Sequence, residues 1–236
     1  MLSNRFVTAW ANFCRSVSGL QSNEKSFQAW FASSLIQEFG LAKVYREVHF
    51  DKGHIRECFS FKLKSIFPEL YTKLGMNKHE LFPDVCITKT AGVDTRHTVA
   101  RSDSMRHAST ILNEMDVVTE LKVACSSKGA IATQYSKVYP DILKLGLFMN
   151  AALASKQDVP LAFMCVLDNR PDRQKKRYVY DRYIHRLRED AKTWPKGWKK
   201  PAVLITAPIQ SKWTSYWIDG DSDWEDLRVF SRYSML

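Results

Sequence analysis

The amino-acid sequence predicts an α/β fold in which a mixed sheet lies between helices. Apolar side chains recur with a helical period over residues 24–39. Short apolar runs at 82–88, 116–124 and 160–167 are typical of strands in a mostly buried sheet. With 236 residues, 45% of them hydrophobic, the chain is long and apolar enough to build a core of this kind.

The first half of the chain supplies a helix and a strand before these runs. In residues 24–39 the apolar side chains stand at 27, 30, 31, 35 and 39, and Gly40 ends the pattern. Residues 43–50 are rich in β-branched and aromatic types, which predicts a strand. We expect a second helix over 59–74, broken near Pro68 because proline cannot continue a helix interior.

After the strands 82–88 and 116–124, a long helix is expected from 130 to about 154. Pro140 should kink or break this helix. A fourth strand follows at 160–167. The order helix, strand, strand, strand, helix, strand implies a sheet covered by helices.

The remaining chain reads as a C-terminal extension, 168–236, rather than as a second domain. It contains a charged, aromatic helix near 177–193, a strand at 202–206 and a tryptophan-rich end. Tryptophans in such a segment more often pack in a core than contact nucleic-acid bases. No internal repeat or low-complexity linker interrupts the sequence. We therefore predict a single domain over 1–236 with its core at about 22–167.

Composition favours a protein with a polyanionic partner. Lys and Arg number 35 against 25 Asp and Glu, which favours nucleic acid first and an anionic membrane surface second. Five cysteines without a C-x-x-C pair predict reduced thiols and a cytoplasmic protein, with Cys86, Cys125 and Cys165 in the core. No apolar run approaches the ~20 residues of a membrane span, and the N-terminus lacks a signal-peptide core. We expect no membrane association.

Three charged residues lie on two of the predicted strands. Asp84 is early in 82–88, whereas Glu120 and Lys122 are two apart in 116–124 and so face the same side. If the strands are neighbours, two carboxylates and a lysine converge at the sheet edge. Such carboxylates suit Mg²⁺, which activates water. The lysine would hold or deprotonate the attacking water and would oppose the developing negative charge.

A structural ion pair is the alternative explanation for Glu120 and Lys122. Charges within a buried strand are costly unless they are paired or functional. For an isolated E-x-K triplet, a salt bridge on a partly exposed face is the commoner reason.

The segment Phe82-Pro83-Asp84-Val85, followed by Thr119-Glu120-Leu121-Lys122-Val123, resembles the PD…ExK signature of restriction-endonuclease-like nucleases, the PD-(D/E)XK superfamily. The order of elements over 22–167 also resembles the αβββαβ core of that family. The resemblance implies an Mg²⁺-dependent DNA endonuclease, with Mn²⁺ as an alternative ion. It implies Asp84, Glu120 and Lys122 as catalytic residues, and Leu121 has no assigned role.

Many members of this family carry a further glutamate on the first helix that helps to hold the metal. Glu24, with Gln28 one turn later, resembles that arrangement, so the metal ligands implied are Asp84, Glu120 and Glu24. Compensation of the helix dipole is the alternative role for Glu24. Glu38 and Glu47 are rival acids.

The family often has a polar helix that supports the site, and the helix expected here carries the polar residues Gln134, Tyr135, Lys137, Asp141 and Lys144. Gln134 and Lys137, one turn apart, are the candidates to reach the scissile phosphate, and Gln134 is included among the catalytic residues. His79, shortly before Asp84, is a weaker candidate ligand that favours Mn²⁺.

Two basic segments are expected to contact a phosphate backbone. The insert 90–114 contains Arg101 and Arg106, whose joint neutralisation should weaken binding to all sequences alike. The segment 170–188 interleaves Lys and Arg with tyrosines, a mixture that suits phosphates and stacking.

Two other functions compete with a DNA endonuclease. One is a catalytically silent nuclease fold that binds nucleic acid or protein, and the other is an RNA-cutting member of the same fold. Retention of Asp84, Glu120 and Lys122 favours the enzyme. Double-strand cutting would favour a two-fold homodimer.

Overall fold

A computed structural model describes residues 2–48, 50–51, 80–93, 95, 112–125, 133–171, 180–208, 214–222 and 224–231. The helices are α1 (Leu2–Ser16), α2 (Glu24–Phe39), α3 (Tyr135–Ala154) and α4 (Tyr180–Ala191), with a 3-10 turn at Leu41–Lys43. The strands are β1 (Val44–Arg46), β2 (Phe50–Asp51), β3 (Glu80–Leu81), β4 (Val85–Thr88), β5 (Met115–Ala124), β6 (Leu161–Asp168), β7 (Ala202–Ala207), β8 (Thr214–Ile218) and β9 (Leu227–Ser231).

In this part of the chain, seven strands form one mixed sheet in the order β1-β4-β5-β6-β7-β8-β9. Antiparallel pairing joins β1, β4 and β5, parallel pairing joins β5, β6 and β7, and antiparallel pairing returns through β8 and β9. The helix α3 connects the parallel strands β5 and β6, as a crossover between parallel strands requires. The predicted α/β fold with a mixed sheet between helices is confirmed.

A separate core lies on each face of the sheet. On one face, α1 and α2 bury aromatic side chains such as Phe6, Trp10 and Phe31 against β4, β5 and β6. On the other face, α3 and α4 bury Ile142, Phe148 and their neighbours against the same sheet. Residues of β5 alternate between these cores, which is why this strand reads as a continuous apolar run.

Local sequence explains the limits of α2, which match the prediction. The side chain of Asn23 caps the helix by accepting a hydrogen bond from the Ser26 amide at 2.9 Å. Gly40 ends it with φ 92°, a conformation that favours glycine. The cap places Glu24 in the first turn, where a carboxylate also offsets the helix dipole.

Several boundaries differ from the sequence-based expectation. The predicted strand 43–50 is interrupted after Arg46, because Glu47 adopts φ 49° and Phe50 pairs with Leu81 in a two-stranded sheet. The helix α3 runs through Pro140 without a break. The predicted helix 59–74 lies outside the described residues.

The C-terminal extension does more than the sequence indicated. It supplies the predicted strand 202–206 as β7 and the predicted helix, described as Tyr180–Ala191, and it adds β8 and β9, so that three of its strands continue the central sheet. The helix α1 was not predicted, although Phe6, Trp10 and Phe13 recur at helical spacing. These elements widen the core beyond 22–167.

The structure leaves Cys14, Cys86, Cys125 and Cys165 as free, buried thiols, as expected for the last three. Of the helices described, none is long and apolar enough to cross a membrane.

Candidate functional site

Asp84 lies at the point where the pairing of β4 with β5 ends. Its backbone amide donates to the Thr119 carbonyl at 3.0 Å, and the preceding Pro83 has no N–H with which to extend the pairing. The carboxylate replaces the missing partner, because Asp84 Oδ2 accepts from the Leu121 amide at 2.8 Å. Gln28 Nε2 on α2 donates to Asp84 Oδ1 at 2.8 Å. Two elements therefore fix the orientation of this carboxylate.

Glu120 and Lys122 project from β5 toward α3, as their spacing predicted. They do not pair with each other. The Lys144 ammonium on α3 contacts Glu120 Oε1 at 2.5 Å, and Glu120 is 2% exposed. Lys122 Nζ instead lies 3.2 Å from Asp141 Oδ2, also on α3. The simple salt bridge between neighbours on one strand is thus excluded by the geometry.

Glu24 joins the same group of charges from the opposite side. Its Oε1 atom lies 3.4 Å from Lys122 Nζ. A second bridge links the two pairs on α3, because Lys144 Nζ is also 3.4 Å from Asp141 Oδ1. Lys144 further donates to the Phe82 carbonyl at 3.0 Å. We call the six residues Glu24, Asp84, Glu120, Lys122, Asp141 and Lys144 the carboxylate cluster.

Burial shifts the acid–base properties of this cluster. Desolvation raises the pKa of Glu24 and of Asp84, although Lys122 acts to lower both values. Desolvation also raises the pKa of Glu120 well above its usual value, although Lys144 acts to lower it. Burial alone would lower the pKa of each lysine. The surrounding carboxylates outweigh it and raise the pKa of both Lys122 and Lys144. Both lysines are therefore cationic at neutral pH.

The charges of the cluster do not balance when all six groups are ionised. Four carboxylates face two ammonium groups, which leaves two negative charges in a site where Glu120 is almost fully buried. Carboxylate oxygens are the donors that hard divalent cations prefer. In chemical type and charge, the donor set fits one divalent cation.

The arrangement of the carboxylates is not yet that of a metal site. Across the described ranges, no three Asp, Glu, His or Cys side chains are gathered as ligands of one ion. Lys122 and Lys144 lie between the carboxylates. Both ammonium groups end flexible side chains, so occupation by a metal requires them to move away from the oxygens that they contact.

The structure separates the rival acids from Glu24. Glu38 pairs with Arg5 at 2.8 Å on the outer surface, and Glu47 is exposed. Gln134 is exposed at the start of α3, and it makes no side-chain hydrogen bond to the cluster; Lys137 is also exposed. Asp141 and Lys144, further along the same helix, are the α3 residues that contact Lys122 and Glu120.

Asp141 and Lys144 were expected on the polar helix that supports the site, but Gln134 and Lys137 were preferred as its functional residues. A signal was present, because they stand three apart on a helix whose other residues from Ile142 to Phe148 are apolar. Other predicted contacts lie outside the described residues: His79, Arg101, Arg106 and the part of the basic segment 170–188 that spans 172–179.

Comparison of the chain with family models, curated proteins and solved structures gives no match. The arguments for function therefore rest on the fold and on the carboxylate cluster.

Proposed function

We propose that the protein is a metal-dependent nuclease that hydrolyses phosphodiester bonds, with DNA as the favoured substrate. The observation that carries this proposal is the carboxylate cluster: acids from α2, β4, β5 and α3 meet two lysines at one place beside the sheet. Perturbed carboxylates with cationic partners in a partly open site are typical of catalytic centres. The net basic chain suits a polyanionic substrate.

The fold supports the resemblance to the restriction-endonuclease-like family without depending on the short motif. Apart from the separate two-stranded sheet of β2 and β3, the order α2, β1, β4, β5, α3, β6 matches the αβββαβ order expected of that core, with β1, β4 and β5 antiparallel and β6 parallel to β5. The residues of the PD…ExK pattern lie on adjacent strands at one point of this sheet. We assign the protein to this class as part of the proposal.

Four residues of the cluster and two of their neighbours have a task under this proposal. Asp84, Glu120 and Glu24 would hold Mg²⁺ or Mn²⁺, which supplies an activated water and neutralises phosphate charge. Gln28 and the Leu121 amide hold the Asp84 carboxylate in place. Lys122, which lies beside these carboxylates, would act as a cation and hydrogen-bond donor toward the scissile phosphate, or would hold or deprotonate the attacking water.

The test is a cleavage assay with supercoiled plasmid, linear duplex, single-stranded DNA and RNA, each with Mg²⁺, Mn²⁺ or EDTA. We expect metal-dependent nicking of plasmid that Asp84→Asn and Glu120→Gln abolish. Glu38→Gln is the matched control, since Glu38 is an exposed acid paired on the outer surface. Cleavage in EDTA, or undiminished cleavage by the Asp84 and Glu120 variants, would contradict the proposal. Cleavage confined to RNA would identify the RNA-cutting alternative.

The second candidate is a catalytically silent member of the same fold that binds nucleic acid or protein. The observation that favours it is the pairing of the carboxylates: within the described chain, Glu24, Glu120 and Asp141 each contact a lysine, and no three acids are gathered for a metal. Calorimetric titration with Mn²⁺ separates the two. A silent binder shows no Mn²⁺ uptake that depends on Asp84 and Glu120.

A further inference from the structure

We propose that a cavity next to α4 binds a nucleotide, either free or at the end of a strand. The cavity has a volume of about 510 Å³ and lies between residues 188–200 and the turn that follows β8. A pocket of this size is in the range that encloses small ligands. The proposal concerns a second site, and it stands whether or not the carboxylate cluster cleaves nucleic acid.

Charge makes this cavity attractive to an anion. Five cationic side chains line it against two acidic ones, Asp221 and Glu225. Lys199 pairs with Asp221 at 3.2 Å, and Arg188 lies 3.8 Å from Glu225. Lys196 is exposed and has no ion-pair partner in the portion of the chain that is described. An incoming phosphate would therefore meet a positive rim with Lys196 available to bind it.

Aromatic rings supply the second half of the proposed recognition. Trp194 and Trp198 line the cavity, with their ring centroids 6.2 Å apart and their planes nearly perpendicular. Trp194 is buried and also packs edge-on against Trp224. Trp198 is half-buried, so part of its ring faces the cavity. Stacking on a tryptophan together with lysine contacts is the combination that binds a base and its phosphate.

The walls of the cavity are held in place before any ligand arrives. Asn150 on α3 accepts from the Lys199 amide and donates to the Lys199 carbonyl, both at 2.8 Å. Trp224 Nε1 donates to the Pro201 carbonyl at 2.8 Å. Gly146 faces the Trp194 ring so closely that a Cβ atom there would lie 2.4 Å from it. A preformed site loses less entropy on binding than a flexible loop.

This cavity is distinct from the carboxylate cluster. Gly146 and Asn150 face the cavity loop, whereas Asp141 and Lys144 of the same helix face β5. The two sets point from different sides of α3, because residues 144 and 146 are about 200° apart around a helix. Occupation of the cavity can therefore be measured without engaging the cluster.

The experiment is calorimetric titration in EDTA, with the Glu120→Gln variant as background so that cleavage cannot contribute. The probes are deoxyadenosine 5′-monophosphate, deoxyadenosine, inorganic phosphate and a 5′-phosphorylated octathymidylate. We expect saturable binding of the monophosphate that exceeds the affinity of deoxyadenosine or phosphate at least tenfold. Trp198→Ala should weaken it about tenfold or more, and Lys196→Glu should weaken it about tenfold through charge reversal.

Matched controls are Trp30→Ala, an exposed tryptophan on α2, and Lys156→Gln, an exposed lysine after α3. Octathymidylate that binds more tightly than the monophosphate identifies a strand end as the ligand, and equal affinity identifies a free nucleotide. Binding that Lys196→Glu leaves unchanged overturns the proposal, even if the Trp198 variant fails to fold. Equal affinity for phosphate and monophosphate likewise overturns it, because the rings then contribute nothing.

Discussion

Two groups of buried charges lie on the parallel part of the sheet, and they are built differently. At the end of β6, the Arg170 guanidinium donates two hydrogen bonds to the Asp168 carboxylate, from Nε to Oδ1 at 2.8 Å and from Nη2 to Oδ2 at 3.0 Å. Asp168 is 1% exposed and Arg170 is 3% exposed. The carboxylate cluster is more open, shares its lysines among several acids and carries excess negative charge.

The difference supports a structural role for the Asp168–Arg170 pair and is consistent with the function proposed for the carboxylate cluster. Asn169, between the paired residues, donates to the Val17 and Leu20 carbonyls and ties the α1–α2 connection to β6. In the Asp168–Arg170 pair one guanidinium faces one carboxylate, and this matched pair stabilises the connection between β6 and the α1–α2 segment. An unmatched cluster raises the pKa of its acids and keeps an affinity for a cation or proton, at a cost to stability.

The largest expected effect comes from breaking the matched pair. Arg170→Met leaves the Asp168 carboxylate buried without its guanidinium, so the free energy of unfolding should fall by about 3–5 kcal/mol. Added Mn²⁺ should not restore it. Urea denaturation measures the change, with Arg5→Met as the control, because the exposed Arg5–Glu38 pair should contribute less than about 1 kcal/mol. A loss as small as that of the control would show that the pair does not stabilise the joint.

The next largest expected effect is a loss of cleavage rate without a loss of folding stability. Lys122→Ala should lower the cleavage rate at least about 100-fold, equivalent to about 2.7 kcal/mol, because a cation that faces the transition state is lost. Nucleic-acid affinity and thermal midpoint should be nearly unchanged, and metal should bind as well or more tightly. Lys25→Ala, an exposed lysine on α2, is the control. A variant that cuts as fast as the parent would show that Lys122 is not catalytic.

Lys144 offers a direct test of whether the carboxylate cluster has fewer cations than its acids require. Lys144→Met removes the ammonium beside buried Glu120, so stability in EDTA should fall by about 2 kcal/mol, less than for Arg170, since Glu120 can take up a proton. Mn²⁺ at a hundredfold excess over its Kd should return up to about 2.7 kcal/mol. The measurement is thermal midpoint against Mn²⁺ concentration for the Lys144 and Arg170 variants. Equal responses would remove the distinction between the two groups.

The smallest expected effect is the change in the stability of the protein with pH. The pKa values of Glu24, Asp84 and Glu120 are raised in the folded protein, so these acids bind protons more tightly there than in the unfolded chain. The stability that these acids contribute is fully present below their pKa of about 4 in the unfolded chain. It is lost as the pH rises through their pKa values in the folded protein.

In EDTA, acidification from pH 8 toward pH 5 should therefore stabilise the parent more than Glu120→Gln, by on the order of 1 kcal/mol. Metal affinity should fall over the same range, because protons compete for the carboxylates. Thermal midpoints measured across pH for the two proteins test this. Superimposable profiles would mean that Glu120 titrates normally.

Much of the site followed from local sequence. Period-two spacing on an apolar strand was enough to expect Glu120 and Lys122 on one face, and the position of Glu24 at the start of the predicted helix favoured it over Glu38. The N-terminal helix α1 could also have been predicted from its spacing. The strand 43–50 could not be divided correctly, because the turn at Glu47 depends on contacts that local composition does not encode.

By itself, the sequence determined the residue types and the order of elements: hydrophobic periodicity specifies which segments are helix or strand, and the acids and lysines are already present on them. Only the tertiary structure decided which charges meet. Lys122 contacts Glu24 across 98 positions, and Glu120 takes Lys144 rather than its near neighbour Lys122. Such pairing depends on strand register and on the rotation of α3 against β5. Both are set by packing of the whole core, so no local pattern could specify them.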